Sequence, residues 1–502
     1  MIHNGISAKR LTTPLCIIGT GIGGGTLAKK LSEAGKEFIL IEAGEFSGNS
    51  GNVNYSSVGR DFGLRSTSSI QIGGTSNLWH GVLAQLDAID FIARDWIPFS
   101  GWPITYDDIK PFYNIAAELL GVEKPNYFCP TNLDSAVVDQ LAEVKFNDNY
   151  LNHKVFQQPT KPLNFKDVVR EICEGSTLQN LYYNSTALEL ISVDDKITAL
   201  KIGNLDGSFS TVEADVFIVA AGALETPRLL LNSKFKNNNI GRFLMDHPMG
   251  NLCQMEFLIP KKAPIYSDTK SSKNMKIKVG FELTEEKQES LRLPNHCFFL
   301  RPSFVKGIDN ESEKIKMSLL SFKDGSIGIQ DILKLAKNPN AVRQILTYKF
   351  SLDVMLKYVD LFFVTEQTPN FSSQVRLSTI KDHWGYPISE VDWKVSASDI
   401  ASIKDCFKLL LDDFFLSSDV KFTHSLDDFN WEENFTSAVH HVGTARMSDR
   451  EELGVVDKNL NVFGKSNLYV CDGSVFTTAG NVNNGLTISA LAVRLAKYLE
   501  NI

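Results

Sequence analysis

The feature that most constrains this chain lies near its start. There PLCIIGTGIGGGTLAKKLSEAGKEFILIEAGE sets Gly19-x-Gly21-x-x-Gly24 directly after the apolar run Leu15–Ile18. That order predicts a strand, a tight turn, a helix ending near Gly35, and a second strand over Phe38–Ile41 that delivers Glu42. Each glycine has a physical reason. Gly19 permits the turn, Gly21 lets the backbone approach a pyrophosphate, and Gly24 lets helix and strand pack closely. The helix N-terminus then offers unpaired N–H groups and a positive dipole end to phosphates. Glu42, 18 positions beyond Gly24, is placed to accept hydrogen bonds from ribose hydroxyls. A glycine-rich structural turn would leave that acid unexplained. The unit predicts a bound dinucleotide without separating FAD from NAD.

The remaining bulk narrows the class. A chain of 502 residues is too long for one simple core, so two domains are expected, discontinuous ones included. Hydrophobic residues at 43% and charged residues at 22% are those of an ordinary globular protein. Nothing in a net charge of −8 suggests a nucleic-acid partner, which would need a concentrated basic surface. The seven cysteines are scattered and never form C-x-x-C, which argues against a disulfide framework or a metal site and fits a reducing compartment. Leu15–Ile18 is too short and wrongly flanked for a signal-peptide core or a membrane span. A cytoplasmic enzyme is expected.

Further stretches point one way. GGTSNLWHG (Gly73–Gly81) is a second glycine-punctuated loop. SGWPITYDDIKPFYNIAAELLGV follows as a helix with Ile109, Phe112, Ala116 and Leu119 on one face and Gly121 as its stop. Then come ADVFIVAAGALETPRLLLNS (Ala214–Ser233), IGRFLMDHP (Ile240–Pro248) and a C-terminal run from HHVGTARM to NVNNGLTISALAVRLAKYL. Asp215–Ala220 and Leu468–Val470 read as buried strands. Small residues at Ala221-Gly222 let backbone come close to a ligand, and Asp472 ends the later strand. Together these blocks resemble the glucose–methanol–choline (GMC) oxidoreductase family, over about half of the chain.

The resemblance implies an α/β chain (α+β overall), with a Rossmann-like three-layer FAD-binding domain and a substrate domain whose large antiparallel sheet is covered by helices. The first would be assembled from residues 1–100, 160–250 and 430–502, the second with its connecting segments from 101–159 and 251–429. Cofactor contacts are expected from Gly19, Gly21, Gly24, Glu42, Gly74, Thr75, Asn77, Ala187, Ala221, Asp472, Gly473 and Asn484. No metal is expected.

Taking hydride from a carbon that bears a hydroxyl needs a base for the hydroxyl proton, a hydrogen-bonding partner for the oxygen, and a flavin to receive the hydride. Imidazole suits the base role. The family's active-site histidine lies four residues before the threonine of its G-T motif, which gives His440. Its second member, in register here with Asn483, would hold the substrate oxygen; a slip of one residue would make it Asn484. His441 is expected to point away, toward packing or backbone contacts, and His247 reads as structural. Ile488, Leu491, Leu495 and Leu499 define the buried stripe of a final helix that starts near Asn484, its positive end toward the catalytic pair and the flavin.

Two positions depart from the family pattern. Asn484 stands where many relatives carry proline. Leu78 is in register with a histidine that binds FAD covalently in some relatives, so FAD is expected to be noncovalent, with His80 the one loophole. The expected reaction is oxidation of a sugar, polyol or other alcohol, the His–Asn pairing resembling that of pyranose-oxidising relatives. A lipid or secondary-metabolite alcohol, or redox-silent lyase chemistry, are the alternatives. The electron acceptor is open among oxygen, a quinone and a redox protein. Helix-like periodicity runs over Ser326–Phe363, in IQDILKLAKN and AVRQILTYKFSLDVMLKYVDLFF. Between Lys323 and Lys357, six basic residues stand against three acidic ones (Asp324, Asp331, Asp353). That segment is expected to be a lid or a cover of the substrate sheet, with a membrane-surface or partner-docking element as the competing reading.

Overall fold

The computed structural model describes residues 1–47, 55–59, 68–141, 144–262, 269–270, 272–303, 306, 314–315, 318–319, 328–349, 355–413, 420–422 and 435–500. Lys323, Asp324, Ser326 and Asp353 of the basic segment lie outside them. The longer helices are α1 (Ile22–Glu33), α2 (Tyr106–Leu119), α3 (Phe165–Glu174), α4 (Gly222–Asn232), α5 (Ile329–Lys337), α6 (Pro339–Lys349), α7 (Ala397–Asp413) and α8 (Gly485–Leu499).

Short runs such as LCII, FILI, VFIV and LYV are apolar on both sides of the chain, which suits strands covered on both faces. They build the first sheet of eight described strands, ordered Ile2–Asn4, Gln179–Tyr183, Phe38–Ile41, Arg10–Ile18, Phe209–Val219, Lys196–Asn204 and Ser185–Val193, with Leu468–Val470 also paired to Phe209–Val219. Five pairings are parallel; the two at the last edge, which join Phe209–Val219, Lys196–Asn204 and Ser185–Val193, are antiparallel. The register sets Ile18, Ile41, Val219 and Val470 side by side, so four strands end together. In such sheets ligands sit beyond those carboxyl ends. On one side α1 packs against α3 and α8, and α8 against α2.

A second sheet of eight described strands is antiparallel throughout. Its main order is Thr269–Lys270, Met275–Leu283, His296–Ser303, Met355–Thr365, Pro248–Lys262, Val420–Phe422; Leu151–Pro159 joins beside Met275–Leu283 and Thr436–Ser437 beside Pro248–Met249. Ile403, Phe407 and Leu410 of α7 belong to its core. A three-stranded sheet (Gln374–Lys381, Pro387–Asp392, Tyr55–Ser57) packs with α4. The expected domain boundaries cut across two contacts. Thr436–Ser437, grouped by sequence with the flavin segments, pairs with the second sheet, and α2, grouped with the substrate segments, lies on α8 through a Tyr113–Thr487 hydroxyl pair at 2.9 Å.

Two local expectations are corrected. MLKYVDLFF is a strand, because Val359, Leu361 and Phe363 alternate into the second core with a period of two, and the flanking strands satisfy its backbone. In α2 the fully buried residues are Ile109, Tyr113, Ala116 and Ala117, with Phe112 and Leu119 only partly covered. The face rotates toward Tyr113 because its hydroxyl has a partner on α8. Among the described residues no helix is long and apolar enough to cross a membrane.

Candidate active site

The glycine turn forms the floor of a groove beyond the four strand ends. Gly19 has φ +101°, and a Cβ there would stand 2.4 Å from the Ala220 carbonyl oxygen. A Cβ on Gly24 would stand 2.1 Å from the Gly19 carbonyl oxygen, so that glycine packs helix on turn and does not itself reach the groove wall. Gly21 differs: a Cβ there meets nothing within 4 Å. It faces open groove, where a phosphate could come against the backbone.

Three helices begin on this groove. α1 starts at Gly21 and α8 at Asn484, neither with a side-chain cap, so their first N–H groups and positive ends are open to an anion. α4 starts at Ala221, and its Gly222 N–H is taken by Asp472 Oδ2 at 2.9 Å. Asp472 also accepts from the Thr226 hydroxyl at 2.6 Å and the Ser474 N–H at 2.8 Å. It stands on the groove wall as expected by position, with its carboxylate tying strand Leu468–Val470 to α4.

Glu42 is similarly held. Its carboxylate accepts from the Thr20 N–H (3.1 Å), the Thr20 hydroxyl (2.6 Å) and the Gly44 N–H (2.9 Å), while burial pushes its pKa up. The Thr20 hydroxyl in turn accepts from the Gly73 N–H at 2.9 Å, fixing the second glycine loop over the first. Gly74, Thr75, Ala187, Ala221, Gly473 and Asn484 all line the groove. Asn77 does not. Its amide is spent inside the loop, donating to the Ile72 and Gly74 carbonyls and accepting from Asn164.

His440 and Asn483 come together at the edge of this groove, flanked on its wall by Val439, His441 and Asn484. Asn483 Nδ2 lies 2.9 Å from His440 Nε2. Read as a donor, the amide occupies the Nε2 lone pair, which leaves the ring proton on Nδ1 and marks Nε2 as the basic nitrogen. Burial pushes the His440 pKa down to about 3; His247 and His441 add to this and Asp246 opposes it. The ring is therefore neutral at ordinary pH. His247 packs edge-on against it, with centroids 5.2 Å apart, and its Nδ1 lies 3.2 Å from the Thr365 carbonyl oxygen.

Asp246 is the residue that sequence reasoning missed, although it sits in the quoted IGRFLMDHP block. Fully buried, it accepts the backbone N–H groups of His247 (2.6 Å) and His440 (3.0 Å) and the Ser437 hydroxyl. His441 corrects an expectation. It forms part of the groove wall, and its Nε2 lies 3.6 Å from Asp246 Oδ2, while burial lowers its pKa.

Behind the Asn483 loop is a buried polar network with no linear signature. Asn481 donates to Glu282 at 3.0 Å and to Asn295 at 2.8 Å; Asn295 donates onward to Asp87 and Asp90. Lys154 pairs with Asp87 and, at 3.3 Å, with Glu282. Arg94 clamps Glu366 through two hydrogen bonds. Burial, reinforced by Asp87, pushes Glu282 up to about 8. Its folded pKa is thus above its unfolded one. Below the ordinary carboxylate range the acid is neutral in both states; as pH rises toward 8 the folded state must keep a proton that the unfolded state releases, and stability falls. Glu282→Gln removes that penalty. Its unfolding free energy relative to wild type is expected to rise by on the order of 2 kcal/mol between about pH 5.5 and about pH 7.5, as read by urea denaturation. An unchanged difference would show that Glu282 is ionised in the fold.

Sequence models of the GMC oxidoreductase family match residues 171–249 and 369–492. The 2-methyl-1,2-propanediol dehydrogenase of Mycolicibacterium austroafricanum is 21% identical over 566 aligned positions, covering 97% of this chain and 95% of that protein. The paromamine 6'-oxidase of Streptomyces fradiae is 22% identical, covering 96% and 90%. A solved variant of the formate oxidase of Aspergillus oryzae, studied for the modification of its FAD, superposes with a TM-score of 0.58 at 16% identity over 99% of both chains. The open glycine floor and the two uncapped helix starts fit the diphosphate of FAD, the cofactor that the family implies. On these matches, and with that groove, the chain belongs to the GMC oxidoreductase family.

Proposed function

We propose that this protein oxidises the CH–OH group of a sugar, polyol or other small alcohol, with His440 as the base and Asn483 as the partner of the substrate oxygen. The observation that carries the reading is the 2.9 Å contact between those two side chains, set beside the groove where α8 begins. A substrate hydroxyl that displaces this contact donates its proton to His440 Nε2 and accepts a hydrogen bond from Asn483 Nδ2. FAD, when bound, supplies the acceptor for the hydride that leaves the carbon. The products are a carbonyl and a proton held on His440. Asp246 favours that charged imidazole, while burial disfavours it, so the proton is held only briefly. The α8 N-terminus adds a positive potential at the same place. A propanediol dehydrogenase and a paromamine oxidase among the relatives support a substrate rich in hydroxyls.

Anaerobic mixing of the purified flavoprotein with a panel of sugars, diols and simple alcohols tests the reading, and reoxidation by oxygen or a quinone identifies the acceptor. Bleaching by none of them would sink it and favour the lyase alternative.

The flavin is proposed to be noncovalent. Leu78 offers no nucleophile and is 47% exposed, and His80 is exposed and absent from the groove wall. After acid precipitation the yellow colour is expected in the supernatant; colour retained on the pellet would contradict this.

A further inference from the structure

Helix α5 presents its apolar side outward. Ile329, Ile332, Leu333 and Ala336 recur at the spacing of one helical face, yet Ile329 is 78%, Ile332 53% and Leu333 54% exposed. The opposite side is fastened down. Leu335 packs against the second core, and Asp331 accepts from the Ser318 hydroxyl at 2.7 Å and from the Gly328 N–H at 3.1 Å. The neighbouring α6 is anchored by buried Ala341 and Ile345. The outward stripe is thus fixed by its anchors.

The charge around it runs against the rest of the molecule. Over residues 328–346, Lys334, Lys337 and Arg343 stand against the single acid Asp331, in a chain whose net charge is −8. Asp331 is already engaged by its hydroxyl and N–H donors. The surface therefore combines an aliphatic ridge with a local cationic excess.

We propose that α5 docks on an anionic lipid surface, its Ile329, Ile332 and Leu333 side chains entering the headgroup–acyl boundary and Lys334 and Lys337 meeting lipid phosphates. Aliphatic anchors on one face with flanking lysines are the general form of an interfacial helix. A second copy of the chain suits the ridge less well, because a two-fold contact would bring the same cations face to face.

The test is co-sedimentation of the full-length flavoprotein with vesicles of phosphatidylglycerol and phosphatidylcholine in equal parts, and with phosphatidylcholine alone. Wild type is expected to pellet with the anionic vesicles, far less with neutral ones, and to be released by high salt. Ile332→Asp/Leu333→Asp is expected to weaken binding more than about tenfold. Lys334→Gln/Lys337→Gln is expected to weaken it about thirtyfold. Flavin absorbance and denaturation midpoint stay at wild-type values, since these side chains lie at the surface. The proposal is overturned if wild type ignores anionic vesicles, if neither variant changes binding, or if light scattering shows a wild-type dimer that the Asp variant dissociates.

Discussion

Replacing His440 with alanine is expected to lower kcat by about 10²–10⁴, the range normally contributed by a positioned base, while the protein still purifies yellow. The separation is expected because His440 contacts Asn483 and His247 without forming part of the groove wall, whereas the proposed cofactor contacts lie on the glycine floor and the helix starts. The loss falls on kcat more than on KM, since the proton moves only as the C–H bond breaks. A loss below about tenfold would remove His440 from the base role. Loss of flavin together with activity would show that the imidazole holds the cofactor.

The second large effect is expected at the floor of the groove. Gly21→Leu yields a folded protein that purifies colourless. A Cβ at this position meets no protein atom within 4 Å, so the fold accepts it, while the added side chain fills the place where phosphates approach the α1 N–H groups. Hydrogen bonds to charged groups contribute about 1.5–3 kcal/mol each. Losing two of them raises the FAD Kd at least about a hundredfold, as calorimetric titration of the apoprotein would read. Gly23→Ala is the contrasting control. Its Cβ would stand 1.9 Å from the Cys471 carbonyl oxygen, so helix and strand cannot both seat, and folded protein is lost instead of flavin alone. A Gly21→Leu protein that carries FAD through gel filtration would contradict the account.

How much of this was legible in the sequence depended on how local each signal is. The turn at Gly19, the open approach at Gly21 and the packing at Gly24 were readable because each is set by neighbours within one strand–turn–helix unit. His440 and Asn483 were located by motif register, and the structure places their side chains in contact across 43 residues of chain. Periodicity failed at Met355–Thr365, where an aromatic, β-branched run satisfied a helical count but was decided by two neighbouring strands. Asn77 is expected among the cofactor contacts from the family resemblance, yet its amide is engaged by the carbonyls of its own loop. The network through Asp87, Lys154, Glu282, Asn295 and Asn481 could not be read at all, since its members come from five distant segments and each alone is an ordinary polar residue.

The central claim is that a CH–OH bond is oxidised at the His440–Asn483 pair. Its most direct test is anaerobic stopped-flow mixing of the flavoprotein with an alcohol that bleaches it, alongside the same alcohol deuterated at the reacting carbon. The account predicts that the oxidised flavin absorbance disappears in a first-order phase, that deuterium slows that phase, and that His440→Ala slows it further. Bleaching at the same rate for both proteins, or no bleaching by any alcohol, would contradict it.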